Sequence, residues 1–155
     1  MLSIDVLNDQ ELIHYLTKRD GKLDEYTYLI TINRPDTQMI IPSKDMIYSD
    51  TFTYKSMNEK NCRNLIKFIN KLVEKVVNDT NTGWDTYKLI IHSPLKRGVS
   101  RGIANYIFMI FPEEYINNLY YNTFQPNEES IIPLTAVYNK LYATFIYFRA
   151  FGLDF

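Results

Sequence analysis

The sequence has little of what most catalytic and metal-binding motifs require. A single cysteine, Cys62, among 155 residues excludes an internal disulfide and a zinc site built from thiolates. Two histidines and five glycines leave few candidates for nucleophile–base pairs or for glycine-rich phosphate loops. The carboxylates lack the ordered spacing of a metal-dependent nuclease. We therefore expect no cofactor and no metal ion.

An excess of one charge and long hydrophobic runs are also missing. The net charge of −1 excludes attraction of the whole molecule to nucleic acid or to an anionic membrane, so that only a local patch could provide it. No stretch reaches the roughly 18 apolar residues that span a bilayer, and the first residues carry acid where a signal peptide carries base. The expectation is a cytoplasmic protein without a membrane partner, in the host cytoplasm or nucleus if it is viral.

The residues that are abundant indicate one globular domain covering 1–155. Hydrophobic residues make up 46%, charged residues 23% and aromatic residues 15% of the chain, which excludes a disordered segment of this length. The chain has 18 Ile, 14 Asn, 13 Tyr and 11 Lys, residues with AT-rich codons. This bias suggests a low-GC bacterium, its phages or a large DNA virus, and with it the hypothesis of a virus- or phage-encoded accessory factor.

The strand signals predict an α+β fold with a small, mostly antiparallel sheet. Apolar and polar residues alternate over Glu25–Asn33, and the turn Arg34–Thr37 leads back into a second strand at Gln38–Ile41. Met46–Tyr54 is rich in β-branched and aromatic residues and predicts a third strand. Thr86–His92 has an almost unbroken apolar run, which predicts a central strand.

Among the predicted helices, Ser56–Asn78 is the clearest, and Pro112 with Glu113 and Glu114 is typical of a further helix start. The apolar residues of Ser56–Asn78 recur at i, i+3, i+4 and i+7, so that a long amphipathic helix should pack on the sheet, with Cys62 facing the core. A short helix capped by Asn8 or Asp9 should carry its apolar residues on one face. Those apolar residues are Leu12, Ile13 and Leu16. The C-terminal half should be helical, ending in Pro133–Phe151, which is apolar on nearly all sides and must be buried in the domain or against a second copy.

A basic loop follows the predicted central strand. Within 94–102 lie Lys96, Arg97 and Arg101, and no acidic residue occurs between Asp85 and Glu113. A strand, a loop and a helix start form a common anion site because free backbone N–H groups point at the ligand. The spacing is neither that of the P-loop nor that of a dinucleotide-binding turn. A solvated turn is the alternative.

The polar face of the 56–78 helix carries a second set of cations. Lys60, Arg63, Lys67 and Lys71 follow at steps of three and four, so they lie along one stripe. Such a stripe can track a phosphodiester backbone by releasing counterions, although a solubilising helix face has the same pattern. These two elements predict a non-enzymatic binding protein whose basic surface engages nucleic acid or an acidic protein.

Two alternatives come from other classes of protein. One is a homo-oligomer or adaptor built on the aromatic helix Pro133–Phe151, since an apolar helix needs a covering surface. The other is a small hydrolase using His92 and Ser93, which end the predicted central strand. The hydrolase requires a carboxylate near that strand end; without one, His92 is a structural residue.

Overall fold

The computed structural model describes residues 2–32, 47–50, 59–79, 87–93, 98–111, 113–116, 138–144 and 146. In chain order the elements are β1 (Leu2–Leu7), α1 (Asp9–Thr17), β2 (Thr27–Ile32), β3 (Ile47–Asp50), α2 (Glu59–Asn78), β4 (Tyr87–His92) and α3 (Gly98–Ile110). A 3-10 turn follows at Glu113–Tyr115. Residues 138–144 and 146 are helical and are called α4 here.

The described strands form one parallel sheet in the order β1-β4-β2-β3. The prediction of a mostly antiparallel sheet is therefore wrong. It rested on a hairpin through the turn 34–37 and the strand 38–41, both of which lie outside the described residues.

The alternation in β2 also misled the prediction. Thr27 and Thr31 look like the solvated face of an antiparallel strand, but both are buried, as are Tyr28 and Ile30 on the opposite face. A strand covered on both faces is typical of parallel sheets, whose crossover helices pack on each side. The polar residues of β2 therefore do not indicate a face that is exposed to solvent.

The helices lie on both faces of the sheet. On one face, Leu12 and Leu16 of α1 pack against Leu29 and Ile90. On the other face, α2 and α3 share a larger core with the opposite sides of the strands. The crossover from β1 to β2 passes β4, and the crossover from β3 to β4 passes β2 in the reverse direction. Helices on opposite faces therefore give the two crossovers the same hand, as βαβ units require.

The long helix confirms the strongest sequence pattern. It is described over Glu59–Asn78, and the predicted residues 56–58 lie outside the described residues. Its buried residues are Cys62, Leu65, Ile66, Ile69, Leu72 and Val76. Apolar residues at this spacing lie on one side of a helix, which is the side that packs on the sheet.

The first helix begins as predicted but buries fewer residues. The side-chain oxygen of Asn8 accepts from the Glu11 N–H at 2.8 Å, and the Glu11 carboxylate accepts from the Asn8 N–H at 3.2 Å. These two bonds form a capping box and fix where α1 starts. Ile13, expected on the buried face, is 49% exposed, because its position lies about 100° round the helix from Leu12.

The C-terminal helix is described only in part. Of the predicted helix 133–151, residues 138–144 and 146 are helical, and the rest lies outside the described residues. Leu141 joins the core cluster, while Tyr142 and Ile146 are exposed. In the part of the chain that the structure describes, no helix is long and apolar enough to cross a membrane.

Candidate functional site at the carboxyl edge of the sheet

The connections that follow β1 and β4 leave the sheet on opposite faces. The strands are neighbours, with Leu7 paired to His92 at their carboxyl ends. After β1 the chain enters α1 on one face, and after β4 it enters α3 on the other. In open α/β sheets this divergence opens a crevice at the carboxyl edge, where ligands bind. A ligand site is therefore expected at the carboxyl edge between β1 and β4.

An aspartate and a histidine meet at this crevice. Nε2 of His92 lies 2.6 Å from Oδ1 of Asp9, the first residue of α1. His92 is fully buried, whereas the Asp9 side chain is 35% exposed. Burial lowers the pKa of His92, and the hydrogen bond and charge of Asp9 oppose that shift less strongly. His92 is therefore neutral at pH 7, and its Nε2–H donates to the Asp9 carboxylate.

This protonation state leaves the other ring nitrogen of His92 as an acceptor. Nδ1 is buried and has no hydrogen-bond partner among the described residues. The hydroxyl of Thr31 is in the same situation, and Thr31 is paired with His92 on the neighbouring strand. Paired residues of parallel strands point to the same face, so both groups lie on the α1 side of the sheet.

Two serines link the end of β4 to the start of α3. The Ser93 and Ser100 hydroxyl oxygens are 3.0 Å apart, and both residues are buried. The Ser93 N–H donates to the Leu7 carbonyl at 3.2 Å, which continues the pairing of β4 with β1 beyond the last strand residue. Ser93 therefore faces α3, whereas His92 faces α1.

These contacts bear on the proposed pairing of His92 with Ser93. The carboxylate that a hydrolase would need is present, since Asp9 binds His92. The hydroxyl of Ser93, however, bonds to Ser100 and not to His92. Consecutive residues of an extended chain point to opposite faces, so His92 is badly placed to take a proton from Ser93.

The long helix runs back from the carboxyl edge to the amino edge. At its end, Lys75 Nζ lies 5.8 Å above the Tyr28 ring, and Asp79 accepts a hydrogen bond from the Tyr87 hydroxyl. Tyr28 and Tyr87 stand at the starts of their strands. Because the 20-residue helix is about 30 Å long, its first half extends toward the carboxyl edge.

The basic stripe of α2 is exposed as its spacing predicts. Lys60, Arg63, Lys67 and Lys71 all have exposed side chains. A depression of about 360 Å³ lies along the first half of this face. Its described lining consists of Glu59, Lys60, Arg63, Asn64 and Lys67. Three cations and an amide thus surround one concave surface, with Glu59 as the acid at its end.

The basic loop is described only at its last residues. Lys96 and Arg97 lie outside the described residues. Arg101 is half-buried in the first turn of α3, which contains no acidic residue. Since α2 and α3 pack on the same face and both begin on the carboxyl side, Arg101 and the first half of the stripe belong to the same side of the molecule. The sequence alone did not show that these two basic elements lie on the same side.

Neither a metal site nor a relative identifies the chemistry. In the described ranges, no group of three or more His, Cys, Asp or Glu side chains is placed to hold a metal ion. Comparison with protein-family models, with curated proteins and with solved structures gave no match. The fold and the site define a three-layered α/β protein with a parallel sheet and cations along one helix near the carboxyl edge.

Proposed function

We propose that this chain is a non-enzymatic binding protein that engages the phosphate backbone of nucleic acid through the exposed stripe of α2, with the start of α3 as a second anion contact. The observation that carries the proposal is the exposure of Lys60, Arg63, Lys67 and Lys71 on one side of a rigid helix. A virus- or phage-encoded accessory factor remains the hypothesis for its source.

The dimensions of the stripe suit a phosphate backbone. Lys60 and Lys71 are eleven residues apart, which places their Cα atoms about 16 Å apart along the helix axis. Successive cations are therefore about 4.5 to 6 Å apart along the axis, a spacing at which extended lysine and arginine side chains can reach successive phosphates. Each phosphate that is neutralised releases condensed counterions, which favours binding at low salt.

The same face lacks what an acidic protein partner would use. Protein interfaces depend on apolar and aromatic anchors at their centre. The large hydrophobic residues exposed in the described part of the chain are Ile13, Met109, Tyr142 and Ile146, and none belongs to α2. A face that offers charge without an apolar anchor favours a polyanion over a folded protein.

A fluorescence-polarisation titration tests the proposal. Labelled single- and double-stranded DNA and RNA, and an acidic peptide of matched charge, are titrated at low salt. Saturable binding of nucleic acid that weakens as salt rises is the expected result. Binding of the peptide in preference to every nucleic acid would support the acidic-protein alternative, and the absence of binding to nucleic acid even at low salt would refute the proposal.

A self-associating protein is the second candidate, and it rests on a different surface. Met109 at the end of α3 and Tyr142 and Ile146 of α4 are exposed. The Tyr138 hydroxyl donates to the Met109 sulfur, and the Tyr138 ring stacks on Tyr142 at 6.2 Å between centroids. Sedimentation equilibrium tests this candidate, since a monomer at every concentration would remove it. Tyr142→Lys should reduce any association, whereas Lys71→Glu in the second half of α2 should not.

A further inference from the structure

Two side-chain contacts, joined only through the peptide bond between His92 and Ser93, lie between the start of α1 and the start of α3. Asp9 at the first position of α1 holds His92 at 2.6 Å. His92 is followed by Ser93, whose hydroxyl lies 3.0 Å from that of Ser100 in the first turn of α3. The position of α3 relative to the end of β4 is therefore linked to a buried histidine that can gain a proton.

We propose that Asp9 and His92 are positioning residues for the start of α3. While His92 is neutral, its bond to Asp9 fixes the end of β4, and with it Ser93 and Ser100, so that the N–H groups in the first turn of α3 are held in position for an anion. Protonation of His92 favours a state in which the ring leaves its buried position, and this weakens anion binding. The inference rests on the proposed function, in which this helix start contacts phosphate.

Given the groups around His92, the protonation of His92 itself should determine how anion binding changes with pH. On α1 the charged or titratable residues are Asp9, Glu11, the exposed His14 and Tyr15, and among the described residues Asp9 alone is bonded to the ring. The remaining charged groups on the α1 face of the neighbouring strands are Asp5 of β1 and Lys88 of β4, which bind each other at 2.8 Å. The residues of β2 that point to this face are Thr27, Leu29 and Thr31, and none of these is ionisable.

The buried acceptor on the ring makes protonation costly. A second proton would sit on Nδ1, a buried atom that accepts no hydrogen bond and donates none to the described residues. Taking a charge out of water without a partner for it is unfavourable, so a proton on His92 favours exposure of the ring. Asp9 offsets part of this cost because its carboxylate faces Nε2.

The sign of the pH effect separates this role from simple electrostatics. If His92 acted only as a nearby charge, its protonation would strengthen the binding of an anion as the pH falls. A positioning role predicts the opposite, because the protonated ring destabilises the arrangement that binds. Sulfate is a suitable probe since it carries two charges over the whole range from about pH 5 to 8.

The experiment is an NMR titration of the ¹⁵N-labelled full chain with sulfate, following the amides of Ser100 and Arg101. For the unmodified chain the Kd should rise from pH 7.5 to 5.5 by up to about tenfold, since tenfold corresponds to one pKa unit of linkage and the pKa of His92 lies below its ordinary value. Asp9→Ala should raise the Kd at pH 7.5 about fivefold or more, a usual strength for coupling between sites. His92→Gln, whose amide can donate but does not titrate, should bind at pH 7.5 and show no pH dependence.

Asp9→Asn serves as the matched control. Its amide oxygen can still accept from Nε2–H, so binding at pH 7.5 should be retained, while the loss of the carboxylate charge moves the acid transition to lower pH. The inference is overturned if Asp9→Ala binds sulfate as the unmodified chain does, if affinity rises toward acid pH, or if sulfate shifts neither amide while nucleic acid still binds. Failure of the unmodified chain to bind any nucleic acid instead refutes the proposed function.

Discussion

Reversing two charges in the stripe of α2 gives the most direct test of how this surface works. Lys67→Glu and Lys71→Glu together change exposed residues that pack on nothing in the core, so the fold should be retained. If each of the four stripe cations neutralises one phosphate, the logarithm of the affinity for duplex DNA should fall with the logarithm of salt concentration with a slope of about −3.6. The double variant should reduce that slope to about −1.8.

The same relation gives the loss of affinity. At 0.1 M salt, each lost phosphate contact costs about a factor of 8, so the two substitutions together should weaken binding about 60-fold. Repulsion by the new carboxylates adds to this loss. Polarisation titrations of a short duplex at four salt concentrations between about 0.05 and 0.2 M measure both the slope and the affinity.

A matched control is available on the opposite face of the sheet. Lys18 and Lys22 follow α1 and are exposed, so that Lys18→Glu with Lys22→Glu changes the net charge by the same amount at a site away from the stripe. This control should leave the slope unchanged and reduce affinity much less. Equal losses in the two double variants would show that net charge alone governs binding, and the reasoning from the stripe would then be refuted.

Other consequences of the structure can be measured on the isolated chain. Burial lowers the pKa of His92 below its ordinary value of 6.5, so the unfolded state takes up a proton first as the pH falls. The free energy of unfolding should therefore decrease below about pH 6.5. Urea unfolding at a series of pH values checks this, and the same decrease at acid pH in His92→Gln would contradict it. Leu65→Ala removes a fully buried side chain of α2 and should cost about 2 to 5 kcal/mol in the same assay, while a loss below about 1 kcal/mol would place Leu65 outside the core. Burial raises the pKa of the Cys62 thiol, so a thiol reagent at pH 8 should react with it only after denaturant is added. Asn8→Ala removes the side-chain cap of α1 and should cost about 0.5 to 2 kcal/mol in urea unfolding, whereas an unchanged midpoint would show that the cap contributes nothing.

The elements with strong local patterns could be read from the sequence, but the direction of the strands could not. The apolar spacing in α2 and the unbroken run in β4 predicted both elements, which the structure describes over Glu59–Asn78 and Tyr87–His92. Leu2–Leu7 also alternates between buried and half-buried residues, but the sequence prediction contains no strand there. Whether two strands are parallel depends on the path of the chain between them, which a turn signal at 34–37 did not reveal.

The candidate site likewise has one part that the sequence predicts and one part that it does not. Exposure of Lys60, Arg63, Lys67 and Lys71 follows from helical periodicity alone, so the sequence sufficed to locate the stripe. The contact between Asp9 and His92 joins residues 83 positions apart, and it exists only because β1 and β4 become neighbours. Asp9 had one local signal, since an acid is favourable in the first turn of a helix. This signal does not indicate that Asp9 contacts His92.

The central position of β4 has a consequence for how the protein is made. β1 pairs with β4 along its whole length and has no other strand partner in the described part of the chain, apart from the isolated bridge between Leu2 and Ile116. A nascent chain that has emerged only to residue 86 therefore contains three of the four strands without the one that joins them. Pairing between residues this distant slows folding and leaves strand edges exposed in the meantime. During translation the sheet can close only after β4 has left the ribosome, so β1 stays without its strand partner until then, while β2 and β3 can already pair with each other.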